Sequence, residues 1–430
     1  MSGFEILADP LPQEGRNEAD ATLSNILIRV NGSDVSEFVD AKGIGSKRLQ
    51  IPAYYLAEWI VENWWPLLWE PRKSEDDGDD AGFLSRHSLL SAQHGFALPK
   101  LSIVALGKSL EVLALPRQVP FADVRFRNRG HISCSRDIVE DQLRNFVQST
   151  VARLEEARVS DTWLQDTWTL IAETDSDEAK FCRFVGALGL SPYDVDDSIA
   201  LLIEQLLPTL GDRLLMDLCL ASTAVQFPTV ASVAQQAMEM TKGVSTSTLS
   251  PIESIPLPKE NLALPAYRRG VQAAEFLRRR LNIKDIDVGG ASRVFDILEI
   301  DTSTQSSNAQ TYDDVVVTGA VVRNDSEMKI AMLQQKESKR RFAGARAIFS
   351  AWSSDSLNEI RLLTSAVTRD QQANRAFAAE LTAPKALIRS RAKNSQLSMA
   401  GVFDLAAELQ IGADVVKKQA LNNGIRVSGF

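Results

Sequence analysis

The sequence predicts an α+β protein: an N-terminal α+β domain, a helical middle region, and a C-terminal domain of helices around a β-hairpin. Three observations carry this. Alternating apolar stretches and turn signals fill the first 157 residues, and helical periodicity runs from Asp161 to about Lys242. After a Ser/Thr/Pro-rich stretch at 245–265, helices and strands mix again. The expected boundaries are a disordered tail over 1–21, the α+β domain over 22–157 and the helical domain over 158–244. A linker over 245–265 and a last domain over 266–430 follow. A chain of 430 residues that is 44% hydrophobic can bury two or three cores.

In the tail, Pro10, Pro12, Gly15 and many acids leave little to bury. LSNILIRV (23–30) alternates as a strand does, and NGSD (31–34) is a turn leading into VSEFVD. IPAYYLAEWIVENWWPLLWEP (51–71) has helical spacing, a break near Pro66, and four of the seven tryptophans. A helix apolar on most sides reads as buried core, with a partner-binding surface as the other reading. SEDDGDD (74–80) reads as a solvated acidic loop without the ligand spacing of a calcium site. LSIVALGKSLEVLAL (101–115) reads as a hairpin around Gly107–Lys108, 119–134 as strand and turn, and 138–157 as an amphipathic helix.

The middle region offers Ser191 as N-cap, with Pro192 at the first helical position after a helix ending at Gly189. LGLSPYDV resembles the turn of a helix-turn-helix. The following helix carries Asp194, Asp196, Asp197 and Glu204, which would repel DNA, so packed helical hairpins are the reading. Beyond the linker, 266–283 reads as a helix. DDVVVTGAVV (313–322) and KIAMLQ (329–334) form a hairpin around Arg323–Asn324–Asp325.

Composition narrows the function classes. No apolar run reaches membrane-helix length, and the polar, acidic N-terminus is no secretory signal. Cys134, Cys182 and Cys219 include no C-x-x-C pair, which points to a reducing, cytoplasmic setting. The only histidines are His87, His94 and His131; His87 and His94 are seven apart, too far to grip one metal without further ligands. Net charge is −9, yet from Lys339 onward 14 Lys+Arg face 7 Asp+Glu. That basic third would suit nucleic acid or an acidic partner. Its scattered cations, without interleaved aromatics, read better as the complement of the chain's own acidic parts. No glycine-rich phosphate loop and no G-x-S-x-G appears.

The most specific stretch runs from Lys339 to Pro384. Arg341, Phe342 and Ala345 form R-F-x-x-A; Phe377, Ala378, Ala379, Glu380, Leu381 and Pro384 form F-A-A-E-L-x-x-P. Together they resemble the ImmA/IrrE family of bacterial zinc peptidases, over roughly Ala266 to Val427. The resemblance implies a zincin-like C-terminal domain: an opening helix with a G-x-x-A-A-x-x-L-R-x-x-L pattern, and a sheet beside the active-site helix. An edge strand of that sheet would hold extended substrate, and C-terminal helices would pack against the core. In the family, R-F-x-x-A leads into H-E-x-x-H and a later helix supplies an acidic ligand.

Here the two histidine positions fall on Arg346 and Ser350, and the glutamate position on Ala347. Histidines at i and i+4 share a helix face and grip one Zn²⁺, with the glutamate as base on the bound water. Arginine offers no lone pair and stays protonated. Counting back from Phe377 places the third ligand at Gln371; counting from Ala373–Asn374 places it at Asp370. The resemblance thus implies a degenerate peptidase with no catalytic, metal or cofactor residues and no cofactor. Its pseudo-site groove comprises Arg346, Ala347, Ser350, Asp370, Gln371 and Glu380. Arg346 is expected either to bind a partner or to pair with Asp370 or Glu380.

The function so implied is protein binding, as a regulatory, antitoxin or phage-defence component of a bacterial stress or mobile-element system. The partner would be the product of a neighbouring gene, and no membrane is involved. Two alternatives stay open: an active metallo-endopeptidase drawing ligands from His87, His94 or His131, and a nucleic-acid-associated regulator using the basic third.

Overall fold

Where the sequence suggests a loose tail, a strand forms. Strand β1 (Phe4–Pro10) pairs antiparallel with β2 (Leu23–Val30), from Phe4 opposite Val30 to Pro10 opposite Ser24. Only every second side chain of a strand must be apolar, and Phe4 and Ile6 meet that need by packing with Ile26, Ile28 and Val30. Pro10 sits at the strand's end, a position where proline is tolerated. On the other side of β2 lies β3 (Leu49–Pro52). A second sheet has β5 (Ser109–Leu115) between β4 (Lys100–Ala105) and β6 (Gly130–Ser135), and Gly107 turns the expected hairpin at φ 86°. The structure, a computed structural model, describes residues 3–12, 15, 17–73, 80–92, 94–120, 122–303 and 316–429. The acidic loop at 74–79 and the first residues of the 313–322 strand therefore lie outside the described residues.

The tryptophan-rich segment forms α1 (Ala53–Glu62) and α2 (Trp64–Trp69). Trp59, Trp64 and Trp65 are buried and Trp69 packs against the same core, which is the core reading of the segment. The break falls at Asn63, not at Pro66. Proline in the first turn of α2 forfeits no intrahelical bond, because those N–H groups have no acceptor within the helix. Helix α3 (Arg136–Glu156) follows β6 and sends Val139, Leu143, Phe146 and Val147 into this core.

The central stretch is helical: α4 (Trp163–Glu173), α5 (Ser176–Ala187), α6 (Asp197–Ala221) and α7 (Phe227–Gly243). Ser191 is not an N-cap. Residues 191–196 form turns, and α6 starts after Asp196, whose Oδ1 accepts the Ser198 N–H at 2.8 Å. Gly211, at φ 72° and ψ 167°, interrupts α6. Two compact units, residues 1–205 and 206–430, divide within this helix.

The division therefore does not fall at 245–265, and that stretch is no linker. Thr246–Thr248 form β7, which adds to a sheet of order β7–β9–β8–β10, where β8 is Val317–Asn324, β9 Glu327–Met332 and β10 Asn358–Thr364. Leu249, Ile252 and Ile255, spaced by three, are buried in the core of the second unit. Their spacing is the signal that the Ser/Thr/Pro composition hides. Helices α8 (Tyr267–Arg280), α9 (Glu337–Trp352) and α10 (Arg369–Thr382) complete this core, and Gly270 of α8 lies against the Ala373 backbone of α10. Three shorter helices follow: α11 (Lys385–Arg391), α12 (Met399–Leu409) and α13 (Ala413–Asn422). Among the described residues, no helix is long and apolar enough to cross a membrane.

Candidate functional site

Helix α9 is buried from Arg340 to Trp352 except for the half-buried Phe342. Small side chains at Ala343, Gly344, Ala345, Ala347 and Ala351 let it lie close to its neighbours, and one large cation, Arg346, projects among them. Across from it, α10 presents Gln371, Asn374 and Arg375. A shift of register between Val317 and Gly319 in β8 marks Thr318 as a bulge residue, and its Oγ1 donates to the Leu363 carbonyl at 2.9 Å.

These groups close around Arg346, which is 4% exposed. Its Nε donates to Asn374 Oδ1 at 2.9 Å and its Nη1 to Thr318 Oγ1 at 3.0 Å. Its Nη2 donates to the Thr364 carbonyl at 2.6 Å and to Gln371 Oε1 at 2.7 Å. Gln371 is fixed in turn: its Nε2 donates to the Leu362 carbonyl at 2.8 Å, and its Oε1 accepts from Asn374 Nδ2 at 2.9 Å. All the acceptors are neutral. Burial, followed by the neighbouring Arg375 charge, pushes the Arg346 guanidinium down to about 9, so it remains cationic at neutral pH.

Of the six groove residues expected from sequence, the structure joins Arg346 to Gln371. Ala347 and Ser350 lie buried on α9, Ser350 one turn beyond Arg346. The expected acids do not meet Arg346. Asp370 turns to Arg361 Nη2 at 3.6 Å, and that arginine also binds Asp217 through Nε at 3.0 Å. Glu380 accepts the Lys385 N–H at 3.2 Å and Gln419 Nε2 at 3.1 Å, and burial raises its pKa. Carbonyls, amides and the Thr318 hydroxyl satisfy the guanidinium without an opposite charge beside it.

The residues that the resemblance puts at ligand positions do not fit zinc. Arg346 has no lone pair to give, Ala347 cannot act as a base, and a guanidinium fills the space. Among the described residues, no group of three His, Cys, Asp or Glu could hold a metal ion. The histidines are engaged separately: His87 between the Ile103 carbonyl at 2.7 Å and Glu70 at 3.1 Å, His94 stacked on Tyr55, and His131 against Glu111 at 2.8 Å. Arg346 reaches two strands of the sheet: β8, paired on both sides, through Thr318, and the edge strand β10 through the Thr364 carbonyl. Gln371 occupies the edge of β10 there, taking the Leu362 carbonyl and the Thr364 N–H.

Arg346 lines a cleft of about 1060 Å³ bounded by α8, α9, α10 and α13. Among the described residues, seven cationic side chains line it against three carboxylates. Arg375, which the sequence reading passed over, sits on its wall and donates through Nη1 to the Thr364 carbonyl at 3.2 Å and through Nη2 to the Ala366 carbonyl at 2.9 Å. A signal existed: Arg375 follows Gln371 by four residues, one turn along the same helix face. Arg346 and Arg375 thus share the Thr364 carbonyl oxygen.

Part of the basic excess of the C-terminal third goes inward, while seven of its fourteen cations, Lys339 and Arg426 among them, are exposed. Arg340 donates to the Thr302 carbonyl, Arg369 to those of Asn261 and Leu264, and Arg346 and Arg375 to those already named. Earlier in the same unit, Arg278 and Arg323 do the same with the Leu381 and Ala351 carbonyls. No family model, curated protein or solved structure matches the chain.

Proposed function

We propose that the chain is a binding protein on an ImmA/IrrE-like, zincin-like scaffold whose metal position is held by a structural arginine. The observation that carries the reading is the Arg346–Gln371 hydrogen bond. It joins directly, across two separate helices, the two residues that the resemblance puts at the first and third ligand positions. In this reading the cleft beside them is the binding element. The chain serves as a regulatory, antitoxin or phage-defence component, and its partner is a protein encoded nearby. The nucleic-acid alternative loses four of its fourteen cations, Arg340, Arg346, Arg369 and Arg375, which donate to backbone carbonyls, and keeps the exposed ones.

Rebuilding the site tests this. Arg346→His, Ala347→Glu and Ser350→His together should take up zinc weakly, since an amide is a poor third ligand. Adding Gln371→Glu should give one zinc per folded chain by elemental analysis, and adding Asp370→Glu should not, because that side chain faces Arg361. One zinc per chain in the natural protein, lost on replacing a histidine, would overturn the reading. So would a folded four-residue variant that takes none.

A further inference from the structure

Among the described residues, the cleft holds a charge imbalance. In a chain of net charge −9, five of its cations (Arg268, Lys336, Arg346, Arg375 and Lys418) make no ion pair with any described carboxylate. Lys385 is taken by Glu275, and Glu380 is taken by the Lys385 N–H and Gln419. Asp414 is the remaining carboxylate. Two of the five cations are withdrawn from water. Arg346 is buried and Arg375 largely so, and both guanidinium groups converge on the Thr364 carbonyl oxygen. Like charges gathered in a low-dielectric wall repel, and a neutral carbonyl offsets little of that.

Arg375 also has donors to spare. A guanidinium carries five N–H groups, and this one spends two on carbonyls. Its Nε hydrogen and one hydrogen on each terminal nitrogen remain, a fork suited to an oxyanion. Lys336, Lys418 and Arg268 are exposed around it. Other walls carry the aromatic rings of Tyr267 and Phe342 and the amides of Gln272, Gln335 and Asn422. The volume suits a compact organic ligand.

We infer that the cleft binds a phosphorylated small molecule of the nucleoside polyphosphate class, its phosphates on Arg375 and the lysines and its base against the aromatic wall. The inference rests on the cleft being the binding element and not on the resemblance to a peptidase. Burial lowers the pKa of both arginines, to about 9 for Arg346 and about 10 for Arg375, which leaves both charged at neutral pH.

Calorimetric titration of the full chain at low salt with ATP, ADP, pyrophosphate and inorganic phosphate tests it. ATP should bind best, and at least about tenfold more tightly than pyrophosphate, since only ATP reaches the aromatic wall. Arg375→Gln should weaken ATP binding by about tenfold or more, as loss of a charge-assisted fork predicts. Because Arg375 also supports two carbonyls, the exposed pair Lys336→Gln and Lys418→Gln gives a second test that leaves the core intact. It too should weaken ATP, whereas Lys393→Gln, outside the cleft, should not. No ATP binding up to millimolar concentration overturns the proposal, as does ATP binding that both cleft variants leave unchanged. Equal affinity for ATP and pyrophosphate overturns the nucleoside assignment. Binding of polyglutamate or of DNA without any small phosphate ligand overturns it in favour of a macromolecular partner. None of these outcomes bears on the zinc-rebuilding experiment, so the two readings fail separately.

Discussion

Arg346 and Gln371 lie 25 residues apart in sequence and meet at 2.7 Å inside the second unit. The contact joins α9 to α10 and, through the Thr364 carbonyl, ties both to the end of β10. A single guanidinium thus satisfies acceptors from α10 and β10 and from the Thr318 bulge of β8. Arg346→Met should therefore destabilise the second unit by about 3 kcal/mol or more, since each buried acceptor left without a donor costs ~1–3 kcal/mol. Arg346→Lys should recover only part of this, because an ammonium cannot span acceptors that the planar fork reaches together. Denaturant unfolding of both variants measures it. Wild-type stability in Arg346→Met would mean that the network is dispensable.

The first unit contains a different buried charge. Glu70 accepts from Arg86 Nε at 2.7 Å and Nη2 at 2.8 Å, with His87 Nε2 at 3.1 Å. Burial alone would raise its pKa, but the hydrogen bonds and charges of His87 and Arg86 outweigh burial and hold it at about 2. A carboxylate depressed in the folded state stabilises fully above its unfolded pKa, near 4.5, and loses that contribution as pH falls toward 2. Depression on this scale corresponds to about 3 kcal/mol. Glu70→Gln should therefore be clearly less stable than wild type at pH 7, and the gap should close between pH 4.5 and 2. Urea titrations at several pH values, read by tryptophan fluorescence, follow it. A gap independent of pH would contradict the linkage.

Arg369 anchors the irregular segment that leads into α8. Its Nε donates to Glu260 Oε1 at 2.8 Å and its Nη2 to the carbonyls of Asn261 at 3.1 Å and Leu264 at 3.0 Å. Arg369→Ala should release residues 259–265, so trypsin should cut after Lys259 roughly tenfold faster than in wild type, as for loss of about 1.4 kcal/mol of local stability. An unchanged rate of cutting after Lys259 in Arg369→Ala would contradict the structure, because the anchor would then hold nothing in place.

What the sequence made legible is what local period encodes. The hairpins at 101–115 and around Asp325, the tryptophan core and the central helices follow from spacings of two and 3.6 within one segment. Strands β1 and β7 escaped because their stability comes from pairing with another strand, next along the chain for β1 and far along it for β7, while their composition matches that of tails and linkers. At the site, the pairing of Arg346 with Asp370 or Glu380 was expected because a charge in sequence suggests an opposite charge. Burial reversed the preference. Carbonyls and amides of α10 and β10 satisfy the guanidinium, and neither has a charge signature to read. The cleft around Arg375 was invisible for the same reason, since it is assembled from α8, α9, α10 and α13, spread over more than a hundred residues.

The approach of α8 to α10 sets the geometry of that cleft, and Gly270 permits it. A Cβ at Gly270 would overlap the Ala373 carbonyl oxygen and come within 2.7 Å of the Phe377 nitrogen. Both obstacles are backbone, so no side chain can swing away, and α10 would have to move. Since α10 carries Gln371, Asn374 and Arg375, displacing it also spoils the Arg346 network and the cleft. Gly270→Ala should cost at least about 3 kcal/mol, the upper end of overpacking effects, despite the better helix propensity of alanine. Gly344 on α9 is the control. There a Cβ would meet Thr302 Cγ2 at 3.5 Å and Met332 Sδ at 3.6 Å, ordinary contact distances. Gly344→Ala should therefore be neutral or stabilising by up to about 1 kcal/mol, through helix propensity alone. Thermal unfolding of the two variants side by side decides. Similar melting temperatures for both would mean that α8 and α10 are not in the close contact that places Arg375 on the cleft wall.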